Sequence, residues 1–170
     1  MEPLRFIPID VDAHADLCVK FRCDAFVSSF GTDQPFIDDD GKGPERYIEW
    51  LRTRTPARYG AFHVWLGDKI IGQLELGERS PEEEFGYVHL YYLIPEYRGE
   101  GYSDAIEVFA VTFLRNLGYA KAKLSVSPTN TRAVEFYKKN GWRDAGPRID
   151  PQVKDHLKHP LHFMEKDLRD

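Results

Sequence analysis

The stretch YYLIPEYRGEGYSDAIEVFA, from Tyr91 to Ala110, constrains the fold more than any other part of this chain. An apolar run stops at Pro95, Arg98 is followed by Gly99 and Gly101, and an amphipathic segment begins at once. Glycine takes positive φ readily and leaves the backbone uncovered, so the turn from Arg98 to Ser103 can bring several main-chain N–H groups against one ligand. The helix that follows adds its own unpaired N–H groups and the positive end of its dipole. Strand, glycine turn and helix N-terminus together predict an anion site, most often one for phosphate.

Two familiar phosphate loops are excluded by the residues present. A dinucleotide fingerprint needs a third glycine where Asp104 stands, and an acidic residue about 20 positions on, near Lys121 and Lys123. A nucleoside-triphosphate loop needs Gly-Lys-Ser/Thr after its second glycine, and GEGYSD has no such lysine.

At 170 residues, 42% hydrophobic and 14% aromatic, the chain suits one globular domain spanning 1–170. No apolar run approaches the roughly 20 residues of a membrane span, and MEPLRFIPID lacks the basic-then-apolar layout of a secretory signal. A cytoplasmic protein with no membrane association is expected. The net charge of -5 argues against broad nucleic-acid binding, so positive potential around any bound phosphate must be local. Cys18 and Cys23 lie five apart in a helical pattern and point to different sides, which predicts neither a disulfide nor a metal role.

Hydrophobic periodicity orders the elements as β-α-α-β-β-β-α-β-α-β-β. RFIPI reads as a short strand. The stretch 12–30 reads as a helix with Leu17, Phe21, Phe26 and Phe30 on one face, 31–43 as a loop and 44–55 as a second helix with Pro44 in its first turn. Strands are expected over 61–67, 70–78 and 85–94, a helix from Asp104 to Leu117, a strand over 121–127, a helix over 130–140 and closing strands over 142–149 and 161–168. The fold class is therefore α/β (α+β): a mixed sheet of about seven strands with helices on both faces.

Arg98-Gly99-Glu100-Gly101-Tyr102-Ser103 resembles the acyl-CoA pyrophosphate loop of the GNAT (Gcn5-related N-acetyltransferase) superfamily, Arg/Gln-x-x-Gly-x-Gly/Ala, with Ser103 in place of Gly or Ala. A second block resembles the same family: LSVSPTNTRAVEFYKKNGW carries its Asn130, Ala133, Phe136, Tyr137, Gly141 and Trp142. Two blocks in the right order, about 30 residues apart, extend the resemblance over almost the whole chain. It implies a mostly antiparallel sheet with a V-shaped splay between the fourth and fifth strands. It also implies acetyl-CoA as co-substrate, no metal, and an amine acceptor that is a small molecule or a peptide. Dimerisation is common in the family, so a homodimer is among the expected assemblies.

The resemblance assigns roles residue by residue. Arg98, Gly99, Gly101, Tyr102 and Ser103 would cradle the pyrophosphate, with the Ser103 hydroxyl serving as helix cap or phosphate contact and Arg98 touching phosphate or ordering the loop. Glu100 is expected to face solvent. The edge of the strand Tyr91 to Ile94, with Leu93 and Ile94, would hold the pantetheine amides. Asn130 and Tyr137, two helical turns apart, would face the slot, where the Tyr137 hydroxyl could donate to the departing thiolate. No cysteine falls in the slot, so transfer would be direct, in a ternary complex. A non-catalytic acyl-CoA-binding regulatory module is the alternative reading.

A general base is harder to place. By strict alternation Tyr87, His89 and Tyr91 share one strand face, with Glu75 on the adjoining strand, which makes His89 and Glu75 the candidates. His156, His159 and His162 recur every three residues, but Pro160 breaks any helix that would align them, so no metal site is expected. Asp38, Asp39 and Asp40 form a solvated run between the first two helices, where the family places its acceptor and where an ammonium would be attracted.

Overall fold

The computed structural model describes residues 2–80, 84–148 and 160–169. The chain runs β1 (Arg5–Pro8), α1 (Val11–Phe30), α2 (Gln34–Ile37), α3 (Gly43–Arg52), β2 (Tyr59–Leu66), β3 (Lys69–Gly77), β4 (Phe85–Leu93), α4 (Tyr102–Asn116), β5 (Lys121–Val126), α5 (Thr131–Lys139), β6 (Arg143–Arg148) and β7 (Leu161–Asp167). One element departs from the periodicity. The stretch expected to be a loop contains α2, a single turn with Pro35 near its start, where the fixed φ of proline suits a helix. Asp10 caps α1 by accepting the Ala13 N–H, and Gly31, at φ 74°, ends it in the left-handed conformation.

All seven strands lie in one sheet, in the order β1-β2-β3-β4-β5-β7-β6. Every pair is antiparallel except β4 and β5, which α4 joins as a crossover. One face packs on α4: Leu74, Leu76 and Val88 meet Ile106, Ala110 and Leu114, all buried. Burying each of the Leu, Ile and Val side chains contributes about 1.5–3 kcal/mol. The opposite face packs on α1 and α3, with Cys18, Tyr47 and Leu51 in one buried group and Phe21, Leu90 and Tyr92 in another.

Two irregularities interrupt the pairing of β4, one on each side. Pairing with β5 runs from Phe85↔Lys121 to Val88↔Leu124 and stops, although β4 continues to Leu93 and β5 to Val126. β5 stays with β7 as far as Val126↔His162, so the two parallel strands diverge into the expected splay. On the other side of β4 the register with β3 jumps from Leu76↔Val88 to Glu75↔Leu90, leaving His89 as the extra residue of a β-bulge.

The bulge corrects the alternation. Tyr91, opposite Leu74, faces α4 and α5, where its ring meets Phe136 and Tyr137 and its hydroxyl donates to the Ser103 carbonyl at 2.8 Å. His89 instead meets Trp50 of α3. Tyr87, His89 and Tyr91 therefore do not share a face.

Candidate active site

The splay opens a slot of about 760 Å³ between β4 and β5, closed at one end by the glycine turn and walled by α5. Gly99 and Gly101 stand at φ 80° and 91°, the left-handed region that glycine alone enters freely. Arg98 gives its N–H to the Pro95 carbonyl and Asp104 gives its own to Gly101. Between them the amides of Gly99 through Ser103 find no acceptor among the described residues. This is a set of donors at a helix N-terminus, as an anion site requires.

Gly101, not Ser103, is the cap residue of α4. Ser103 lies inside the first turn, so the cap role expected of its hydroxyl falls away, and Ser103 lines the slot. Tyr102 opens the helix and packs edge-on against Tyr97. Arg98 is tied down: its Nε donates to the Leu93 carbonyl at 2.7 Å and its guanidinium lies 5.6 Å from the Tyr92 ring centroid. That contact orders the loop. Glu100 is exposed and does not line the slot.

Local positive charge comes partly from α5. The Arg132 guanidinium approaches the turn closely enough that a Cβ on Gly99 would sit 3.2 Å from its Nη2. Lys139 lines the same slot, 4.0 Å from Asp104. Arg132 occupies a variable position of the second sequence block, and only its place on the first turn of α5, beside the slot, distinguishes it.

The edge of β4 offers less than expected at one residue. Ile94 gives its N–H to Ile71 at 2.8 Å, on the β3 side, and does not line the slot, so its backbone is unavailable there. Leu93 does line it. By alternation the N–H groups of Tyr91 and Leu93 point toward the side that β5 has left.

Asn130 and Tyr137 both line the slot. Asn130 is the N-cap of α5, its Oδ1 accepting the Ala133 N–H at 3.4 Å. The Tyr137 ring meets Tyr91 and Trp142, each with centroids 5.9 Å away. Burial among these rings, and then the Glu107 carboxylate, push its phenol well above the ordinary value, so it holds its proton at neutral pH. Glu107 is itself buried in α4, accepting from Trp142 Nε1 and Lys166 Nζ at 2.9 Å each. A carboxylate on the apolar face of α4 has no signature in the periodicity.

The two base candidates have different surroundings. Glu75 is buried on β3 and does not line the slot. Its carboxylate accepts from Arg22 Nη2 at 2.6 Å, from Gln73 Nε2 at 2.8 Å and from the Tyr47 hydroxyl. Gln73 thus turns its carbonyl oxygen to His63, which donates from Nε2 at 2.8 Å. Glu75 organises a buried network instead of facing the slot. His89 lines the slot, and its Nε2 donates to the Glu78 carbonyl at 3.0 Å, leaving Nδ1 as an acceptor. Burial lowers its pKa to about 4, with Arg22 and Arg54 contributing, so the ring is neutral at pH 7.

Two of the three carboxylates in the Asp38–Asp40 run are engaged. Arg46 reaches Asp38 at 2.7 Å and Asp40 at 2.8 Å, and its hydrogen bonds hold Asp40 down at about 2. Of the histidine series, His156 and His159 lie outside the described residues, and His162 pairs with Asp144 at 3.0 Å. Cys18 and Cys23 are both free, and burial raises the Cys18 thiol to about 12, which leaves it inert as a nucleophile.

The sequence profile of the Acetyltransferase (GNAT) family matches residues 23–142, well over half of the chain and including both the glycine turn and Tyr137. The chain belongs to the GNAT family. It is 30% identical over 87 residues to a mycothiol acetyltransferase of Geodermatophilus obscurus, a match covering 49% of this chain and 28% of that much longer protein. Three solved structures share the GNAT fold nearly end to end. An acetyltransferase from Thermus thermophilus superposes with a TM-score of 0.71 at 22% identity, covering 98% of this chain and 99% of its own. The PaiA N-acetyltransferase of Thermoplasma acidophilum, in complex with coenzyme A, gives 0.73 at 15%, covering 97% and 99%. A spermidine N-acetyltransferase of Vibrio cholerae, in complex with CoA and spermine, gives 0.73 at 16%, covering 97% and 95%. Among the described residues, no helix of this GNAT chain is long and apolar enough to cross a membrane.

Proposed function

We propose that this chain is an acetyl-CoA-dependent N-acetyltransferase that passes the acetyl group directly to a primary amine in a ternary complex. The observation that carries the reading is the slot itself: a strand edge released by its parallel neighbour, ending at a turn of unpartnered amides, with the Tyr137 ring in its wall. A coenzyme with a pyrophosphate and an amide-bearing arm matches those two features in order. The solved relatives bound to coenzyme A, one of them also to spermine, support both co-substrates.

In this reading Arg98 stiffens the turn and Arg132 and Lys139 add charge outside the amide cradle. The amine nitrogen attacks the thioester carbonyl carbon, the C–S bond breaks, and the sulfur leaves as thiolate. Tyr137 donates a hydrogen bond to that sulfur. Its raised pKa makes it a poorer acid than the coenzyme thiol, near 8.5, so it stabilises the thiolate by hydrogen bonding more than by complete proton transfer. His89 Nδ1 accepts a hydrogen bond from the incoming amine. An imidazole with a pKa near 4 stores a proton poorly, so the amine proton passes on to water. Glu75 serves as the anchor of Arg22 and Tyr47, not as the base.

Release of free thiol from acetyl-CoA, measured across polyamines, arylalkylamines, amino acids, aminoglycosides and peptides, tests the proposal. Turnover dependent on both acetyl-CoA and an amine is expected. Tight coenzyme binding with no thiol release for any amine would leave a regulatory acyl-CoA-binding module instead.

A further inference from the structure

Beside the slot, on the α1 and α3 side of the sheet, lies a second cavity of about 340 Å³. Arg22, Phe26 and His89 line both spaces, so the cavity adjoins the slot along these three residues. Its walls are rings in sequence: Phe26 to Phe36 at 5.6 Å, Phe36 to Tyr47 at 5.5 Å, Tyr47 to Trp50 at 6.3 Å, and Trp50 to His89 at 5.3 Å.

The charges around this cavity decide what it can hold. No carboxylate lines it among the described residues. Glu75 behind it is engaged by Arg22, Tyr47 and Gln73, and Asp38 and Asp40 nearby are engaged by Arg46. An aromatic cage could still attract a cation through its ring faces. Here guanidinium groups already stack on two of those rings: Arg22 lies 5.0 Å from the Tyr47 centroid and Arg54 4.7 Å from that of Trp50. A further cation entering the cavity would lose hydration and meet like charge, with no anion to receive it.

Resting on the transferase reading, we propose that the acceptor is a monoamine carried on an apolar ring, an arylalkylamine in chemical class, and not a polyamine. The ring lies against Phe36 and Trp50, burying apolar surface, while the nitrogen reaches His89 at the junction with the slot. The same positive, apolar surroundings favour the free amine over its ammonium form. That supplies the nucleophile without a strong base, consistent with an imidazole that stays neutral.

The test compares 2-phenylethylamine with spermidine. Thiol release from acetyl-CoA should give a kcat/KM at least tenfold higher for 2-phenylethylamine. Trp50→Ala should lower that value about tenfold or more with CoA affinity unchanged, and Phe36→Glu, which introduces a carboxylate, should shift the preference toward spermidine. Spermidine turned over equally well or better by the parent protein overturns the inference, as does a Trp50→Ala variant with unchanged kcat/KM. Calorimetric titration of 2-phenylethylamine into CoA-saturated protein separates the two proposals. Saturable binding without any turnover would sink the transferase reading and keep the pocket assignment; absence of binding would sink the pocket assignment whatever the turnover.

Discussion

His89 and Tyr91 stand two residues apart on β4 and face opposite sides of the sheet. The bulge opposite Glu75 inserts His89 as an extra residue and resets the alternation beyond it. Tyr91 then supports Tyr137 and the first turn of α4, while His89 meets Trp50 at the mouth of the second cavity. One short strand thus presents Tyr91 to the wall of the slot and His89 to the second cavity at once. The bulge lies where β4 passes from pairing with β5 to standing free, so the strand bends as its partner leaves.

Tyr137→Phe keeps the ring and its contacts with Tyr91 and Trp142 and removes only the hydroxyl. If that hydroxyl supports the departing thiolate, kcat falls roughly 10- to 1,000-fold while coenzyme affinity changes little. Steady-state kinetics with a competent amine, alongside calorimetric titration of CoA, read both quantities. Turnover within about twofold of the parent would remove Tyr137 from the mechanism.

The arrangement of the slot was legible because its determinants are backbone conformation and helix spacing. Positive φ at Gly99 and Gly101, and two helical turns from Asn130 to Tyr137, are written directly in residue type and number. The second cavity and its surroundings were not, because each of their determinants depends on tertiary register. A one-residue bulge at His89 leaves no mark in a pattern of period two. The choice of Arg46 as partner for Asp38 and Asp40, and of Arg22 for Glu75, is made by packing between α1, α3 and β3. Polar residues at core positions, Glu75 and Glu107 among them, read as surface in sequence, and most of their hydrogen bonds come from partners 28 to 59 residues distant.

Arg22 and Arg46 make ion pairs of similar length in different surroundings, 2.6 Å to a buried Glu75 and 2.7 Å to an exposed Asp38. Removing one partner of a buried pair strands the other charge, so Arg22→Met should destabilise the protein by about 3–5 kcal/mol. Arg46→Met removes exposed, screened contacts and should leave stability close to that of the parent. Urea midpoints of the two variants check the contrast, and Arg22→Met/Glu75→Leu should recover part of the first loss. Equal effects at the two sites would mean that the network around Glu75 is not held by Arg22.

Gly101→Val tests the turn. A β-branched residue at φ 91° is strained by about 1–3 kcal/mol, and its side chain covers the amides of the first turn of α4. In the parent protein, CoA at about 100 times its dissociation constant should stabilise the fold by roughly 2.7 kcal/mol. The variant should remain folded by circular dichroism and lose that gain. Retention of full CoA stabilisation would place the pyrophosphate elsewhere.

His89 makes stability depend on acidity in a way that can be isolated. Its pKa of about 4 in the folded chain lies below the 6.5 of an exposed histidine, because burial disfavours the imidazolium. Between those values the unfolded chain binds more protons than the folded one, so stability is complete above pH 6.5 and declines as pH falls toward 4. The difference corresponds to at most about 3 kcal/mol. His63, also lowered by burial, adds a decline of the same sign. His89→Gln removes one of the two titrations, so its unfolding free energy, from urea titrations at pH 7.5, 6, 5 and 4.5, should fall less steeply than that of the parent. Parallel profiles would show that His89 takes up its proton equally in both states, and the neutral acceptor at the mouth of the cavity would then be lost from the argument.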